Sequence, residues 1–166
     1  MALIIEDGTL STPSANTYAT TSYVTTFCSN LGLSSWATAS TANREAAILR
    51  GMAYIDSLSY VGVKSTDDQP LKWPRMNAYD EDGYAIDSGS IPSVLKKGLA
   101  RAAYEENADP GCLQPNLTKD DFITQEKIDV ISITYEQGTG STVFQAIQAY
   151  LSGLLTSTSY APIRRT

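Results

Sequence analysis

One stretch of the sequence limits the fold more than any other. Ile91, Val94, Leu95, Gly98, Leu99, Ala102 and Ala103 fall at i, i+3, i+4, i+7, i+8, i+11 and i+12, the spacing of one face of an α-helix. Lys96, Lys97, Arg101 and Glu105 lie on the opposite side. Pro92 occupies the first turn, where its missing N–H would have had no helical partner. The helix should stop near Asn107, ahead of Asp109-Pro110-Gly111. Whatever else the chain forms has to cover that apolar face.

Three further helices are expected. The first runs from Thr21 to a stop at Gly32 and places Tyr23, Val24, Phe27, Cys28 and Leu31 at helical spacing; Trp36 then falls in a small-residue loop. The second is capped by Ser40 or Thr41 and continues to about Ser59. Its stripe is Ile48, Met52 and Ile55, flanked by Leu49 and Leu58, with Arg44, Glu45 and Arg50 on wetter faces. The last starts at Ser141 or Thr142, with Val143, Ala146, Ile147, Tyr150, Leu151 and Leu154 as its stripe. Extended structure is expected at Leu3-Ile4-Ile5 and across Ile123 to Tyr135, where Ile131, Ile133 and Tyr135 alternate with Ser132 and Thr134.

Between Lys64 and Gly89 the helical period disappears. Two Tyr, one Trp and two Pro in this stretch favour an ordered, projecting loop. Asp82-Gly83, between Tyr79 and Tyr84-Ala85-Ile86, reads as a tight turn joining two short extended segments. Proline after Trp73 holds that residue extended, either as a plug on the domain's own core or as an interface anchor.

The 166 residues suit one domain, and no repeat or boundary divides them. The chain has no histidine, which removes the commonest general acid/base and the commonest metal ligand. Cys28 and Cys112 are far apart and read as free thiols in a reducing compartment. No apolar run approaches the roughly 18 residues of a membrane span, so a soluble, cytoplasmic chain is expected. A net charge of −6 opposes free-standing nucleic-acid binding, which needs a basic surface.

The remaining motifs have plain explanations. Asp80-Glu81-Asp82-Gly83 suggests a calcium loop, but with Gly83 at position six, positions one and twelve would be Ala78 and Gly89. It is read as a solvated hairpin tip. The pairs Asp67/Asp68 and Glu105/Glu106 diverge in direction and make poor catalytic dyads. Lys96, Lys97 and Arg101 form a modest basic face, either solvated, ion-paired or set against a neighbouring subunit.

Several segments together carry a likeness. They are Leu3-Ile4-Ile5-Glu6-Asp7-Gly8-Thr9; Ala15-Asn16-Thr17-Tyr18 leading into Tyr23-Val24-Thr25-Thr26-Phe27; and Arg44 to Arg50 with Tyr54-Ile55-Asp56. Further on come Gln69-Pro70-Leu71-Lys72-Trp73-Pro74-Arg75, Asp82-Gly83, Ile91 to Lys96, Glu126-Lys127-Ile128 and Ile131 to Tyr135. In this order they resemble the head–tail connector (adaptor) proteins of tailed bacteriophages, in the group labelled DnaT-like single-stranded-DNA-binding proteins.

The resemblance implies a mainly α (α+β) fold: a small four-helix bundle over residues 1–155, with a projecting loop or hairpin at 64–89 and a flexible C-terminal arm at 156–166. Roughly twelve copies would close as a ring between portal and tail, lining the DNA exit channel without binding the genome specifically. The arm residues Tyr160, Ile163, Arg164 and Arg165 would dock on the portal. Trp73, Arg75, Tyr79, Asp82, Tyr84, Lys96, Lys97 and Arg101 would face the next subunit or a tail-side stopper, nozzle or tail-completion protein. The expected place is the virion neck, assembled in the host bacterial cytoplasm, with no enzyme activity, cofactor, metal or membrane partner. The alternatives are a single-strand-binding replication accessory and a tail-side stopper or tail-completion protein. Lys and Arg form no continuous track in sequence, which counts against the former.

Overall fold

The computed structural model describes residues 2–10, 12–114, 125–128, 131–134 and 144–156. It is mainly helical, with two small antiparallel hairpins. Helix α1 spans Thr21–Asn30, a one-turn helix α2 Ser35–Thr38, α3 Thr41–Ser57, α4 Ser93–Ala108 and α5 Gln145–Leu151, which ends in a 3-10 turn at Ser152–Leu154. Strands β1 (Val63–Lys64) and β2 (Arg75–Met76) pair Val63 with Met76 and Lys64 with Arg75. Strands β3 (Gln125–Ile128) and β4 (Ile131–Thr134) pair Gln125 with Thr134 through Ile128 with Ile131. The alternating tract after Ile123 is therefore two strands rather than one.

Helix starts follow local chemistry. Thr20 caps α1 by accepting from the Tyr23 N–H at 3.1 Å, and Ser40 caps α3 by accepting from Asn43 at 3.2 Å. Pro92 takes the N-cap of α4 itself. The proposed caps of the last helix, Ser141 and Thr142, lie outside the described residues.

The core sits where α3 and α4 cross. Gly51 lies so close to α4 that an added Cβ would meet the Ala103 nitrogen at 2.9 Å, and a Cβ on Gly98 would meet Leu151 of α5 at 2.7 Å. Small residues let the backbones approach, and Ile48, Ile55, Leu95, Leu99, Ile147 and Leu151 fill the space on either side. Three stripe positions differ from expectation: Leu31, Val94 and Ala146 are exposed. Leu31 is the C-cap residue just past α1, and Val94 and Ala146 sit at the borders of their helices' apolar arcs.

Trp36 is buried in α2 rather than held in a loop, and its indole N–H donates to Thr25 Oγ1 at 3.0 Å. Arg44 secures that turn by donating to the carbonyls of Trp36 (3.0 Å) and Ala37 (2.7 Å). On α3 and α4, Arg50 Nε meets the buried Glu106 carboxylate at 2.7 Å. Glu106 also accepts from Gly111 and Leu113 N–H, which fixes the chain just past α4. At the N-terminus, Ile5 bridges to Thr17, and buried Glu6 accepts from the Gly8 and Leu10 N–H groups. Among the described residues the Leu3-Ile4-Ile5 segment makes this single bridge, flanked by the Asn16 and Thr17 N–H groups donating to the Ile4 carbonyl.

Candidate interaction surface

The non-helical stretch 64–89 has two parts with different roles. Its first part folds down onto the core. Trp73 is 0% exposed and packs edge-on against Tyr60, their ring centres 5.9 Å apart. The Trp73 backbone N–H donates to the Tyr18 hydroxyl at 3.0 Å, and the Lys72 N–H donates to Asp56 Oδ1 at 2.8 Å. Gln69 is buried and ties the turn together: its Oε1 accepts from Thr66 N–H, and its Nε2 donates to the Leu71 and Pro74 carbonyls. The Trp73–Pro74 bond is cis.

Of the two readings open for Trp73, the structure takes the core plug, so this side chain offers no anchor to a partner. Its ring belongs to the same buried cluster as Tyr18 and Tyr60. Burial pushes the hydroxyl pKa values of Tyr18 and Tyr60 far above the usual tyrosine range.

Arg75 is also turned inward. Its guanidinium donates to the carbonyls of Val61 (2.6 Å), Gly62 (2.7 Å), Lys72 (3.2 Å) and Tyr60 (3.3 Å). Burial pushes its pKa down, and five fixed donors suit a cage of carbonyl oxygens. Gly62, with φ +72°, lets the two limbs close: a Cβ there would lie 2.4 Å from the Met76 carbonyl oxygen.

The second part is a surface hairpin. Tyr79 bridges to Ala85, the Asp80 N–H donates to the Tyr84 carbonyl at 2.9 Å, and Gly83 turns at φ +84°. Asp80 Oδ1 accepts from Asp82 and Tyr84 N–H, so the carboxylate stiffens the turn. Tyr84 is 73% exposed, Tyr79 54%, Val63 53% and Met76 41%. Asp67, Asp68, Asp80, Glu81, Asp82 and Asp87 are exposed along the same stretch. The stretch thus exposes apolar and aromatic side chains among carboxylates, and its 79–85 hairpin is held by its own turn bonds.

The chain matches, over residues 1–166, the family described as "Putative DnaT-like ssDNA binding protein". It belongs to that family. No curated protein and no solved structure matches it.

In this DnaT-like chain the three cations of α4 are not equivalent. Arg101 pairs with Glu105 at 2.6 Å and lies 5.2 Å from the Tyr104 ring centre, so its charge is spent within its own helix. Lys97 is exposed and Lys96 half-buried. Tyr160, Ile163, Arg164 and Arg165 lie outside the described residues. Among the described residues, no group of three or more His, Cys, Asp or Glu is placed to hold a metal ion, and no helix is long and apolar enough to cross a membrane.

Sequence reasoning missed the supports of this surface: Tyr18, Asp56, Gln69 and Tyr60. Tyr18, Asp56 and Gln69 fall inside the segments of the family likeness, the one available signal. It also missed Val63 and Met76, since their exposure follows from a strand pairing that no local pattern announces.

Proposed function

We propose that this chain is a structural adaptor of a tailed-phage neck, a subunit of a ring that joins the portal to the tail and has no catalytic role. The observation that carries the reading is how the positive charge is used. Arg44, Arg75, Lys64 and Lys72 hold backbone carbonyls, while Arg50 and Arg101 hold Glu106 and Glu105. Among the residues whose side chains are described, Lys96 and Lys97 remain. A single-strand binder needs a basic groove beside its stacking aromatics. Here the exposed Tyr79 and Tyr84 lie in sequence beside Asp80, Glu81 and Asp82, which repel phosphate.

Rigid hairpins with exposed aromatic and aliphatic side chains suit protein contacts instead. The resemblance supplies the setting: a heterologous ring, a portal on one side, a tail-side stopper or completion protein on the other, and an acidic lumen through which genome passes without adhering. On that reading the 64–89 face meets a neighbouring subunit or the tail side, and the arm docks on the portal.

The family's description, single-stranded-DNA binding, is the competing reading. Two measurements separate them. The cognate portal ring should capture the full-length chain but not a chain truncated after Ser157. A fluorescent oligo-dT should not bind in physiological salt. Tight, salt-dependent oligonucleotide binding without portal capture would move the assignment to replication. Portal capture of both chains would keep the adaptor and remove the role of the arm.

A further inference from the structure

We propose that residues 157–166 dock in cis into a cleft beside the hairpin tip of the same chain. The cleft holds about 250 Å³. One wall is the hairpin tip, Asp80, Glu81 and Asp82; Val94, Tyr150 and Leu154 supply apolar surface. The tip is fixed in place: Ser152 Oγ donates to Glu81 Oε1 at 2.9 Å, and a Cβ on Gly153 would come within 2.6 Å of Glu81 Cγ. The cleft is thus built by close packing rather than by a loose loop end.

Such a site takes a segment that offers apolar side chains and cations within a few residues of each other. Residues 157–166 read Ser-Thr-Ser-Tyr-Ala-Pro-Ile-Arg-Arg-Thr, with two arginines, no acid, and Tyr160 and Ile163 as the large apolar groups. Asp80 Oδ1 is engaged in capping its turn and Glu81 Oε1 in holding Ser152. Asp82 is exposed and makes no side-chain hydrogen bond among the described residues, so both of its oxygens are open to an arginine. Guanidinium and carboxylate match in planar, two-point geometry.

Position on the chain favours the same molecule. Leu154 lines the cleft, and two residues later the Thr156 N–H donates to the Ser59 carbonyl at 3.0 Å. Ten residues from that anchor reach at most about 35 Å, enough to turn back and lay Tyr160 to Arg165 in the cleft. A tether this short sets an effective concentration in the millimolar range, above that of a free second copy.

The docking does not depend on the adaptor reading, although one consequence does. If Tyr160, Ile163, Arg164 and Arg165 also bind the portal, cleft and portal compete for one segment, and the arm stays sequestered until a portal is met.

Chymotrypsin cleavage after Tyr160, followed by intact mass on the full-length chain, tests the docking. Cleavage should be slow in the unmodified chain and about tenfold faster in Asp82→Arg, because proteolysis follows the released fraction. The double change Arg164→Glu, Arg165→Glu should accelerate it similarly, and combining all three should restore protection. Asp82→Asn, a milder change at an exposed site, should give a smaller acceleration and guards against misfolding of the arginine variant. Equal cleavage rates in all these chains would overturn the proposal. Protection that grows with protein concentration would overturn docking in cis and assign the cleft to a second copy.

Discussion

The Tyr18 hydroxyl accepts a hydrogen bond from the Trp73 backbone N–H at 3.0 Å, joining positions 55 residues apart in sequence. Both groups are buried, so neither has water as a substitute partner. Tyr18→Phe leaves that N–H unsatisfied and should cost about 1–3 kcal/mol, read from urea denaturation followed by tryptophan fluorescence.

The same hydroxyls give the fold an alkaline limit. Burial raises the pKa of Tyr18 and Tyr60, so the folded chain holds these protons more tightly than the unfolded one. Their stabilisation is complete below about pH 10, the unfolded tyrosine value, and declines as pH climbs above it toward the folded values. The denaturation midpoint should therefore fall steeply above pH 10, and less steeply in Tyr18→Phe.

Among the described residues Arg50 is the one ion-pair partner of Glu106, whose side chain is 3% exposed. Arg50→Met should destabilise by about 2–3 kcal/mol, toward the lower end for a broken buried pair because the arginine is itself partly solvated. Glu106 also fixes the turn through Gly111 and Leu113. Hydrogen exchange should therefore quicken first at those two amides.

Thiol chemistry should be slow in the native state. Burial pushes Cys28 up to about 11, and burial together with Glu106 raises Cys112 to about 11. A thiol-specific chromogenic reagent at pH 7.5 should label Cys112, which is half-buried, before the buried Cys28. Both should react at once in 6 M guanidinium.

The exposed aromatics should separate binding from folding. Tyr79→Ser with Tyr84→Ser removes two solvent-facing rings and should change stability by no more than about 0.5 kcal/mol. On the adaptor reading the same double variant should lose ring assembly or tail-side capture, measured by size-exclusion chromatography with light scattering.

The helices were legible in the sequence because each carries an arc of apolar residues and most have a nearby hydroxyl or proline at the start. Trp36 was not: its short helix has too few residues to display a period, and it is held by Arg44, eight positions away. The 64–89 stretch was legible as ordered, and its Asp82-Gly83 turn as a hairpin. The inward direction of Trp73 and Arg75 was not, since it is decided by Tyr18, Tyr60 and a set of backbone carbonyls contributed from elsewhere in the chain. An arginine in a loop looks alike in sequence whether it faces a partner or its own backbone.

The pairing of residues 59–61 with 154–156 also has a mechanical side. Val61 donates to the Leu154 carbonyl, Tyr60 bridges Leu155, and Thr156 donates to the Ser59 carbonyl. A pull on the chain beyond Thr156, directed along this short ladder, loads its bonds in shear, so they share the force instead of opening one at a time. Arg75 grips the carbonyls of Tyr60, Val61 and Gly62 from the other side. Tension on the chain at Thr156 is therefore delivered to residues 59–62 and, through Arg75, to the base of the 64–89 stretch.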